Sequence, residues 1–348
     1  MARKLLQIAS VANFEMSRSM SLAKGIHTAR NCFCVVLGAL LSVMTFETAT
    51  SDTFPSRAVH VVIPYSPGGS PDVVFRVIAQ ELQSIWKQSV ILENKAGGNT
   101  IPGALAVSRA PADGYTLLFT TDGTFLLNPL VISSLPYAMS DFTPVLLVAT
   151  APHMVAVSKQ LNVNSVFEFV KVAKETPEGL RYGSTGSISL QRLAMDHFAH
   201  IAGIKLTQIP YKGAPETTTA VLTGEVSASV NSIATILPLV QAGSIRTIGV
   251  AAKARSPLAP DVPTFQEQGI PNFSSQGMFG LFAPANIPVE VREKIRKDIL
   301  DVTGRAAIKS ALEARGYEVR SEGAEEFKEL IASEASRWEK IMKDLDVK

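Results

Sequence analysis

Cysteine is almost absent from this sequence. The chain has two cysteines in 348 residues, and both of them, Cys32 and Cys34, fall within the first fifty residues. If that segment is removed during export, the remaining chain has no thiol. This would exclude disulfide bonds and thiolate chemistry from its function.

An excess of charge of either sign is also lacking beyond the amino-terminal segment. Residues 1–50 carry five basic and two acidic side chains, and the rest of the chain carries 28 basic against 29 acidic ones. No basic patch is therefore expected, and nucleic acid is not a predicted partner. The apolar content of 46% is typical of a globular chain, and the length suits two domains.

The apolar run near the amino terminus is too short to span a membrane comfortably. Phe33–Phe46, FCVVLGALLSVMTF, has 14 residues, whereas a span needs about 20. Lys24 and Arg30 precede this run, as basic residues do in a secretory leader. We therefore predict a signal peptide over residues 1–50 and export to the periplasm; an uncleaved signal anchor is the alternative.

Motifs of enzymes and nucleotide-binding proteins are missing. Residues 64–72 lack the glycine-rich patterns that cradle phosphates, and Gly183–Gly186 does not match the G-x-S-x-G elbow of hydrolases. No Ser/His/acid set, acidic pair or Cys/His cluster is visible by spacing. His197 and His200 share one face of a predicted helix, but no third metal ligand is apparent. We predict that the chain binds a molecule rather than converts one, without a cofactor or metal.

Strands and helices alternate along most of the chain. A β-branched, apolar strand at Val59–Tyr65 runs into a turn, and a helix with an apolar stripe follows. We expect Ser70 to cap this helix and Pro71 to occupy its first position. The alternation predicts a doubly wound α/β layer.

A second series of strands and helices begins near residue 142. We predict separate strands at Phe142–Thr150 and Met154–Val157 and a late strand at Ser274–Ala283. Only helices are expected after the late strand, at 288–315 and 325–343. Two α/β layers with a late return strand predict a bilobed protein, with strand ends and helix starts facing a cleft between the lobes.

The chain is expected to cross between the lobes twice, near residues 145–152 and 272–283. The predicted first lobe therefore comprises residues 54–147 and 273–348, and the predicted second lobe comprises residues 148–272.

Three strand ends lead into turns built of glycine, serine and threonine, at residues 66–70, 120–124 and 184–189. Glycine allows the backbone to approach a ligand closely, and free N–H groups at the start of a helix favour an anion. Hydroxyl groups add adaptable donors. One such turn is ordinary, but three at equivalent places indicate an anion-binding cleft.

Charged residues beside these turns have two interpretations each. Asp72 and Arg76 are four residues apart on the first helix, which suits a local ion pair that stabilises the helix. Lys212 follows a strand and lies either near an anion or in a solvated turn.

Several segments of this chain resemble one receptor family. They include IPYSPGGSPDVVFRVIAQEL, VILENKAGGNTIPGALAVSRAPADGYTLLFTTDGTFLLNP, LRYGSTGS, IPYKGAPETTTAVLTGEV and DVPTFQEQGIPNF. From about residue 55 to the end, the sequence resembles the Bug family, the TctC-type solute receptors of tripartite tricarboxylate transporters. The resemblance implies an α/β, type II periplasmic binding protein (Venus flytrap) fold of two doubly wound lobes. Such a receptor closes on a small solute, often a carboxylate, and delivers it to a membrane permease.

The resemblance also implies ligand contacts by position. Members of the family hold a carboxylate with loop N–H groups, hydroxyls and ordered waters rather than with arginine. The implied first-lobe contacts are Tyr65, Ser66, Gly68, Gly69, Ser70, Thr121, Asp122 and Thr124. The implied second-lobe contacts are Ser184, Thr185, Ser187, Ser189 and, toward the distal end of the ligand, Asn231.

This sequence departs from the family pattern at three positions. Pro71 replaces a hydroxyl residue and removes one N–H donor. Ile188 replaces a glycine and either narrows the pocket or makes it less polar. Arg192 replaces a histidine and either supplies a positive charge or faces solvent. In addition, Asp122 would disfavour a second anion in the cleft and suit an amine or a hydroxyl.

The predicted function is the capture of a small organic acid by lobe closure, in a periplasmic monomer that serves a tripartite tricarboxylate-type permease. A ligand sensor for a membrane kinase is the alternative, and an enzyme that uses the same cleft is a less favoured one.

Overall fold

The computed structural model describes residues 54–185, 189–211 and 213–346. The predicted signal peptide, residues 1–50, lies outside the described residues, as do Ser187, Ile188 and Lys212. The interpretations given for these residues therefore stay predictions.

Ten strands and ten α-helices occur in the described part of the chain. The strands are β1 (Val59–Ile63), β2 (Val90–Asn94), β3 (Thr116–Thr121), β4 (Phe142–Val157), β5 (Leu180–Thr185), β6 (Leu206–Tyr211), β7 (Ala228–Ser232), β8 (Arg246–Val250), β9 (Gln276–Pro284) and β10 (Glu318–Val319). The helices are α1 (Ser70–Trp86), α2 (Ile101–Ser108), α3 (Asn128–Val131), α4 (Val166–Lys174), α5 (Leu190–Ala202), α6 (Ala214–Thr223), α7 (Ile233–Gln241), α8 (Val289–Thr303), α9 (Ala306–Glu313) and α10 (Ala324–Asp344).

The strands form one continuous sheet in the order β2-β1-β3-β9-β4-β7-β5-β6, while β8 and β10 also pair with β4. β1 is parallel to β2 and β3, and β5 is parallel to β6 and β7. β9 is antiparallel to β3 and β4. The first half of the sheet is defined here as β1, β2, β3, β9, β10 and residues 142–152 of β4. The second half is β5 to β8 with residues 153–157 of β4.

The start of α1 differs from the sequence expectation. The helix begins at Ser70 itself, with Pro71 as its second residue, and Gly69 precedes it in an extended conformation. No side chain caps this end of the helix, so the prediction that Ser70 is the cap is wrong. The physical reason lies in the first turn, where the Asp72 carboxylate reaches back and accepts the N–H of Gly68.

β4 is a single strand of 16 residues that runs through both halves of the sheet. It pairs with β9 as far as Pro152 and with β7 from His153 onward. The prediction of two separate strands in this region is therefore wrong. Proline cannot donate a ladder hydrogen bond, but Pro152 stands where β4 exchanges one partner for the other, so the strand continues through it.

The segment after β9 is also more broken than expected. The helix predicted at 288–315 is two helices, α8 and α9, because Gly304 and an extended Arg305 separate them. The expectation of helices only is wrong as well, since β10 pairs with Ala149 and Thr150 of β4.

Apolar side chains join the helices to the sheet. One cluster packs α1 and α8 against the first half, where the rings of Phe75 and Phe119 lie 4.7 Å apart. Another includes Phe327 of α10, whose ring centroid lies 5.5 Å from that of Phe125 and 5.3 Å from that of Phe282. Among the described residues, no helix combines the length and the apolar character that a membrane span requires.

Candidate ligand-binding site

The sheet brings two of the three predicted turns together. β1 and β3 are parallel neighbours, so the turns that follow them lie at the same edge of the sheet. The hydroxyl of Tyr65, after β1, lies 2.7 Å from Oγ1 of Thr121, at the end of β3. These two side chains therefore tie the turn at residues 66–70 to the turn at residues 120–124.

Tyr65 directs its hydroxyl into a group of threonines. Burial raises the pKa of this phenol, while hydrogen bonds with Thr121, Thr120 and Thr124 act in the opposite direction. A Cβ atom at Gly123 would lie 3.4 Å from the same hydroxyl, which shows how closely the turn packs against the ring. The hydroxyl of Tyr65 thus joins the two turns, and its predicted contact with a ligand stays a prediction.

The glycine turn at residues 66–70 uses two of its own N–H groups. Gly68, with a positive φ of 79°, donates to the Asp72 carboxylate at 2.9 Å, and Gly69 donates to the carbonyl of Ser66 at 3.0 Å. Within the described residues, neither the N–H of Ser70 nor the hydroxyl of Ser66 has a hydrogen-bond partner. The donors that this turn offers to a ligand are therefore at Ser66 and Ser70 rather than at the two glycines.

The Asp72 carboxylate fixes the conformation of this turn through its hydrogen bonds. Its side chain is buried and also accepts hydrogen bonds from Arg76 at 2.8 Å and from Asn94 at 3.1 Å. Burial alone would raise its pKa, but the hydrogen bonds from Arg76, Gly68 and Asn94 hold the pKa below its usual range. The predicted ion pair between Asp72 and Arg76 is confirmed. Asp72 also holds Gly68 in its conformation with positive φ, because the Asp72 carboxylate accepts the N–H of Gly68.

A buried hydroxyl network supports the turn at residues 120–124. The Thr124 hydroxyl hydrogen-bonds with Thr120 and donates to Thr100 at 2.8 Å. Tyr137 donates to the Thr124 carbonyl at 2.7 Å, and Asn128 donates to the Tyr137 hydroxyl at 3.0 Å. Thr124 is 1% exposed, so this network occupies its hydroxyl beneath the turn.

Sequence reasoning missed this network. The sequence carries one signal of it, because Asn128 is a polar residue inside an apolar stretch, TFLLNPLV. Asn128 also donates to the carbonyl of Asn99 at 2.6 Å, and Asn99 and Thr100 both have positive φ. Such backbone conformations are uncommon outside glycine, and the hydrogen bonds of Asn128 help to hold them.

Asp122 joins the end of β3 to the start of β9. Its Oδ1 accepts the N–H of Met278 at 3.0 Å, and the side chain is buried. Burial raises the pKa of this carboxyl to about 7, although the hydrogen bond from Met278 acts against the rise. The negative charge of Glu334 adds to the rise. Asp122 is thus a carboxyl that is neutral in mildly acidic solution.

The second half of the sheet carries its own hydroxyl groups at strand ends. Ser184 accepts a hydrogen bond from Gln208 at 2.7 Å, and Thr185 donates to Gln191 at 3.2 Å. Ser189 caps α5 by accepting the N–H of Arg192 at 3.2 Å. The described members of the predicted second-lobe set therefore lie at the carboxyl end of β5 and at the start of the helix that follows.

Arg192 forms an ion pair instead of facing solvent alone. Its guanidinium lies 3.2 Å from the carboxylate of Asp196, which also accepts the hydroxyl of Tyr182 at 2.5 Å. Both members of the ion pair are about a quarter exposed. Much of the positive charge of Arg192 is therefore balanced within its own helix.

Asn231 lies near the end of β7 and is 1% exposed. Its amide group donates to the hydroxyl of Thr217 at 3.0 Å and to that of Ser229 at 3.2 Å. These bonds orient the amide within the second half of the sheet, and its reach toward a ligand stays a prediction.

The histidine pair on α5 does not form part of a metal centre in the described residues, where no group of three metal-ligating side chains occurs. Burial and, to a smaller extent, the charge of Arg337 lower the pKa of His197 to about 4.

Comparison with known proteins identifies the family. A model described as "Tripartite tricarboxylate transporter family receptor" (TctC) matches residues 74–347. The chain belongs to this family. The match begins just beyond the glycine turn, so that turn is assigned by the sequence and the geometry alone.

Several individual proteins are similar to this chain over nearly their whole length. A Pseudomonas sp. (strain P51) protein, "UPF0065 protein in tcbD-tcbE intergenic region", is 30% identical over 312 residues, which cover 88% of this chain and 93% of that protein. The structure of R. palustris Rpa4515 with adipate has a TM-score of 0.78 and 30% identity, and covers 84% of this chain and 98% of that one. MatC (Rpa3494) from Rhodopseudomonas palustris, with bound malate, has a TM-score of 0.74 and 27% identity, and covers 83% and 99% of the two chains.

These findings confirm the predicted Bug/TctC-type receptor and its two-lobe α/β fold. The proteins that this chain resembles are solute-binding receptors and not enzymes, and this chain is accordingly a receptor of the same kind.

Proposed function

We propose that this protein is exported to the periplasm, captures a small organic acid between its lobes and delivers it to a tripartite tricarboxylate-type permease. The observation that carries the proposal is the set of uncharged donors at Ser66 and Ser70, held ready by Asp72 at the carboxyl edge of the sheet. Two similar receptors, Rpa4515 and MatC, have adipate and malate bound, which supports an acid as the ligand.

Neutral donors suit a carboxylate in this setting. The start of α1 contributes a positive dipole end, and several preorganised N–H and O–H groups share one negative charge. The two arginines that follow the turns, Arg76 and Arg192, are already paired with Asp72 and Asp196. Recognition therefore depends on hydrogen-bond geometry more than on a free guanidinium.

The mechanism is differential binding. A ligand that touches both lobes stabilises the closed arrangement and shifts the open–closed equilibrium toward it. We place the first lobe at residues 54–147 and 273–348 and the second at residues 148–272. With this division the chain passes between the lobes within β4 and just before β9, and no covalent step is needed.

A thermal-shift screen of organic acids on the protein purified after export tests this function. At least one acid is expected to raise the unfolding temperature, since a ligand at 100 times its Kd stabilises by about 2.7 kcal/mol. The function is contradicted if no acid stabilises the protein while a non-acidic compound does. Depletion of an acid during incubation would point to an enzyme instead.

Ser66→Ala examines the role of the turn in the same assay. The variant is expected to bind the stabilising acid about tenfold more weakly, since the hydroxyl of Ser66 is lost as a donor to the carboxylate. Ser84→Ala is the matched control, because Ser84 is an exposed serine near the end of α1, far from the turn. Equal affinities of the two variants would remove Ser66 from the site.

Export, oligomeric state and the transport role have separate tests. The first residue of the exported protein should lie near residue 50, and the protein should elute as a monomer. Deletion of the gene should abolish uptake of the acid, whereas normal uptake with loss of a signalling response would indicate a sensor.

A further inference from the structure

The turn at Gly316 and Tyr317, between α9 and β10, contacts β9 in the first half of the sheet and α7, the helix that follows β7 of the second half. Gly316 has a positive φ of 83° and packs against the first turn of α7. A Cβ atom at residue 316 would lie 2.6 Å from both N and Cα of Ala234, far inside van der Waals contact. Only a glycine can occupy this position without displacing the backbone of α7.

This contact lies beside the place where β4 passes from one half to the other. β10, which follows Tyr317 directly, pairs with Thr150 of β4. β7, which leads directly into α7, pairs with β4 up to His153. A contact so near the crossing acts on a short lever arm, so a small displacement there corresponds to a large rotation of one half against the other.

Tyr317 connects the same turn to the candidate site. Its ring is buried and packs edge-on against Phe279, with the ring centroids 5.3 Å apart. Phe279 pairs with Thr121 in the sheet. Burial raises the pKa of the Tyr317 phenol, and the nearby side chain of Ser70 acts against this rise. Tyr317 thus lies beside the Ser70 turn and reaches the Thr121 turn through one neighbour.

We propose that Gly316 and Tyr317 are positioning residues of the ligand site. Gly316 lets the start of α7 approach closely enough for the second lobe to close over the Ser70 turn, and Tyr317 holds Ser70 in place for the ligand. The proposal rests on the receptor function given above, and it extends the site to a segment that follows the last large strand.

Gly316→Ala is the direct test, and the chain supplies a matched control. Gly269 has nearly the same backbone conformation, with φ of 84°, but nothing lies within 4 Å of a Cβ atom there. Ala at either position bears the same left-handed backbone strain. Only an alanine side chain at residue 316 would clash with the backbone of α7.

Crystal structures of the wild type and of both variants provide a readout that needs no ligand. We expect α7 to move away from residue 316 in Gly316→Ala and to stay in place in Gly269→Ala. An unchanged position of α7 in Gly316→Ala would overturn the role of Gly316, even if the protein proved to bind no acid.

Titration with malate, adipate and the acids of the screen provides the second readout. Gly316→Ala is expected to weaken binding about tenfold relative to Gly269→Ala.

Tyr317→Phe keeps the ring on Phe279 and removes only the hydroxyl. It should weaken binding several-fold without a change in unfolding temperature, and it remains informative if Gly316→Ala does not fold. Wild-type affinity in Tyr317→Phe would overturn the role of its hydroxyl, whereas a wild type that binds no acid would instead contradict the proposed function.

Discussion

Oδ1 of Asp122 accepts the main-chain N–H of Met278 at 3.0 Å, and this bond joins the end of β3 to the start of β9. The bond places a buried carboxyl group within the candidate site. Because burial raises its pKa to about 7, the folded protein holds this proton more tightly than the unfolded chain, in which the pKa is about 3.8. Ionisation of Asp122 therefore opposes folding.

Asp122→Asn should remove this opposition. The amide oxygen can still accept the Met278 N–H, but the side chain cannot ionise. Wild-type stability is lost as pH rises from about 4 to about 7, so the variant should gain a few kcal/mol at pH 8 and little at pH 4. Urea unfolding at both pH values measures the difference. Asp261→Asn, at an exposed loop position, is the control, and an equal gain at both pH values would show that Asp122 is not buried as described.

Asp72→Ala should loosen the glycine turn. It leaves the N–H of Gly68 without its acceptor and removes one of the two acceptors of the Asn94 amide, and we expect a loss of about 2–4 kcal/mol in the free energy of unfolding. Arg76→Ala removes only the exposed member of the ion pair and should lose less than about 1 kcal/mol. Denaturant titrations compare the two variants. Similar losses in both would mean that the ion pair, and not the bond to Gly68, is what Asp72 contributes.

Tyr137→Phe tests the buried network below Thr124. The change removes the hydroxyl that donates to the Thr124 carbonyl and accepts from Asn128, and we expect a loss of about 1–2 kcal/mol. Tyr115→Phe is the comparison, since the hydroxyl of Tyr115 bonds with the exposed Ser56 and its removal should have little effect. Thermal unfolding of both variants measures the two losses of stability. A larger effect at Tyr115 would contradict the importance given to the network.

His153 should make the protein sensitive to acid. It lies at the crossing of the two halves, its Nδ1 is 2.7 Å from the Ser275 hydroxyl, and burial lowers its pKa to about 4. The unfolded chain takes up a proton near pH 6.5 and the folded protein does not, so stability falls as pH drops from about 6.5 to about 4.

His153→Gln should therefore lose about 2 kcal/mol less than the wild type between pH 7 and pH 5. His200→Gln changes an exposed histidine on α5 and should follow the wild type. Parallel pH profiles for the wild type and His153→Gln would contradict the assigned burial.

The position of the glycine turn could be predicted from the sequence, but its free N–H groups could not. Its place between a buried strand and a helix follows from local patterns, and the structure has both elements nearly where they were expected. Which N–H groups remain free does not follow from those patterns. It depends on the reach of Asp72 back to Gly68 and on Asn94, a residue 22 positions away that the sheet brings alongside.

Features that depend on contacts between distant parts of the chain were harder to predict from the sequence. β4 was predicted as two strands because its partners, β9 and β7, come from distant parts of the chain and only their pairing makes it continuous. Gly316 and Tyr317 carry no motif at all. Their significance comes from contacts with Ala234 and Phe279, which only the folded sheet places beside them.

Isothermal titration of the exported protein with a panel of organic acids, with small-angle scattering of the same samples, tests the central claim most directly. We expect one acid to bind with a stoichiometry of one and to make the protein more compact, as lobe closure requires. A panel in which every acid leaves both heat and scattering unchanged, while a non-acidic solute binds and compacts the protein, would contradict the account.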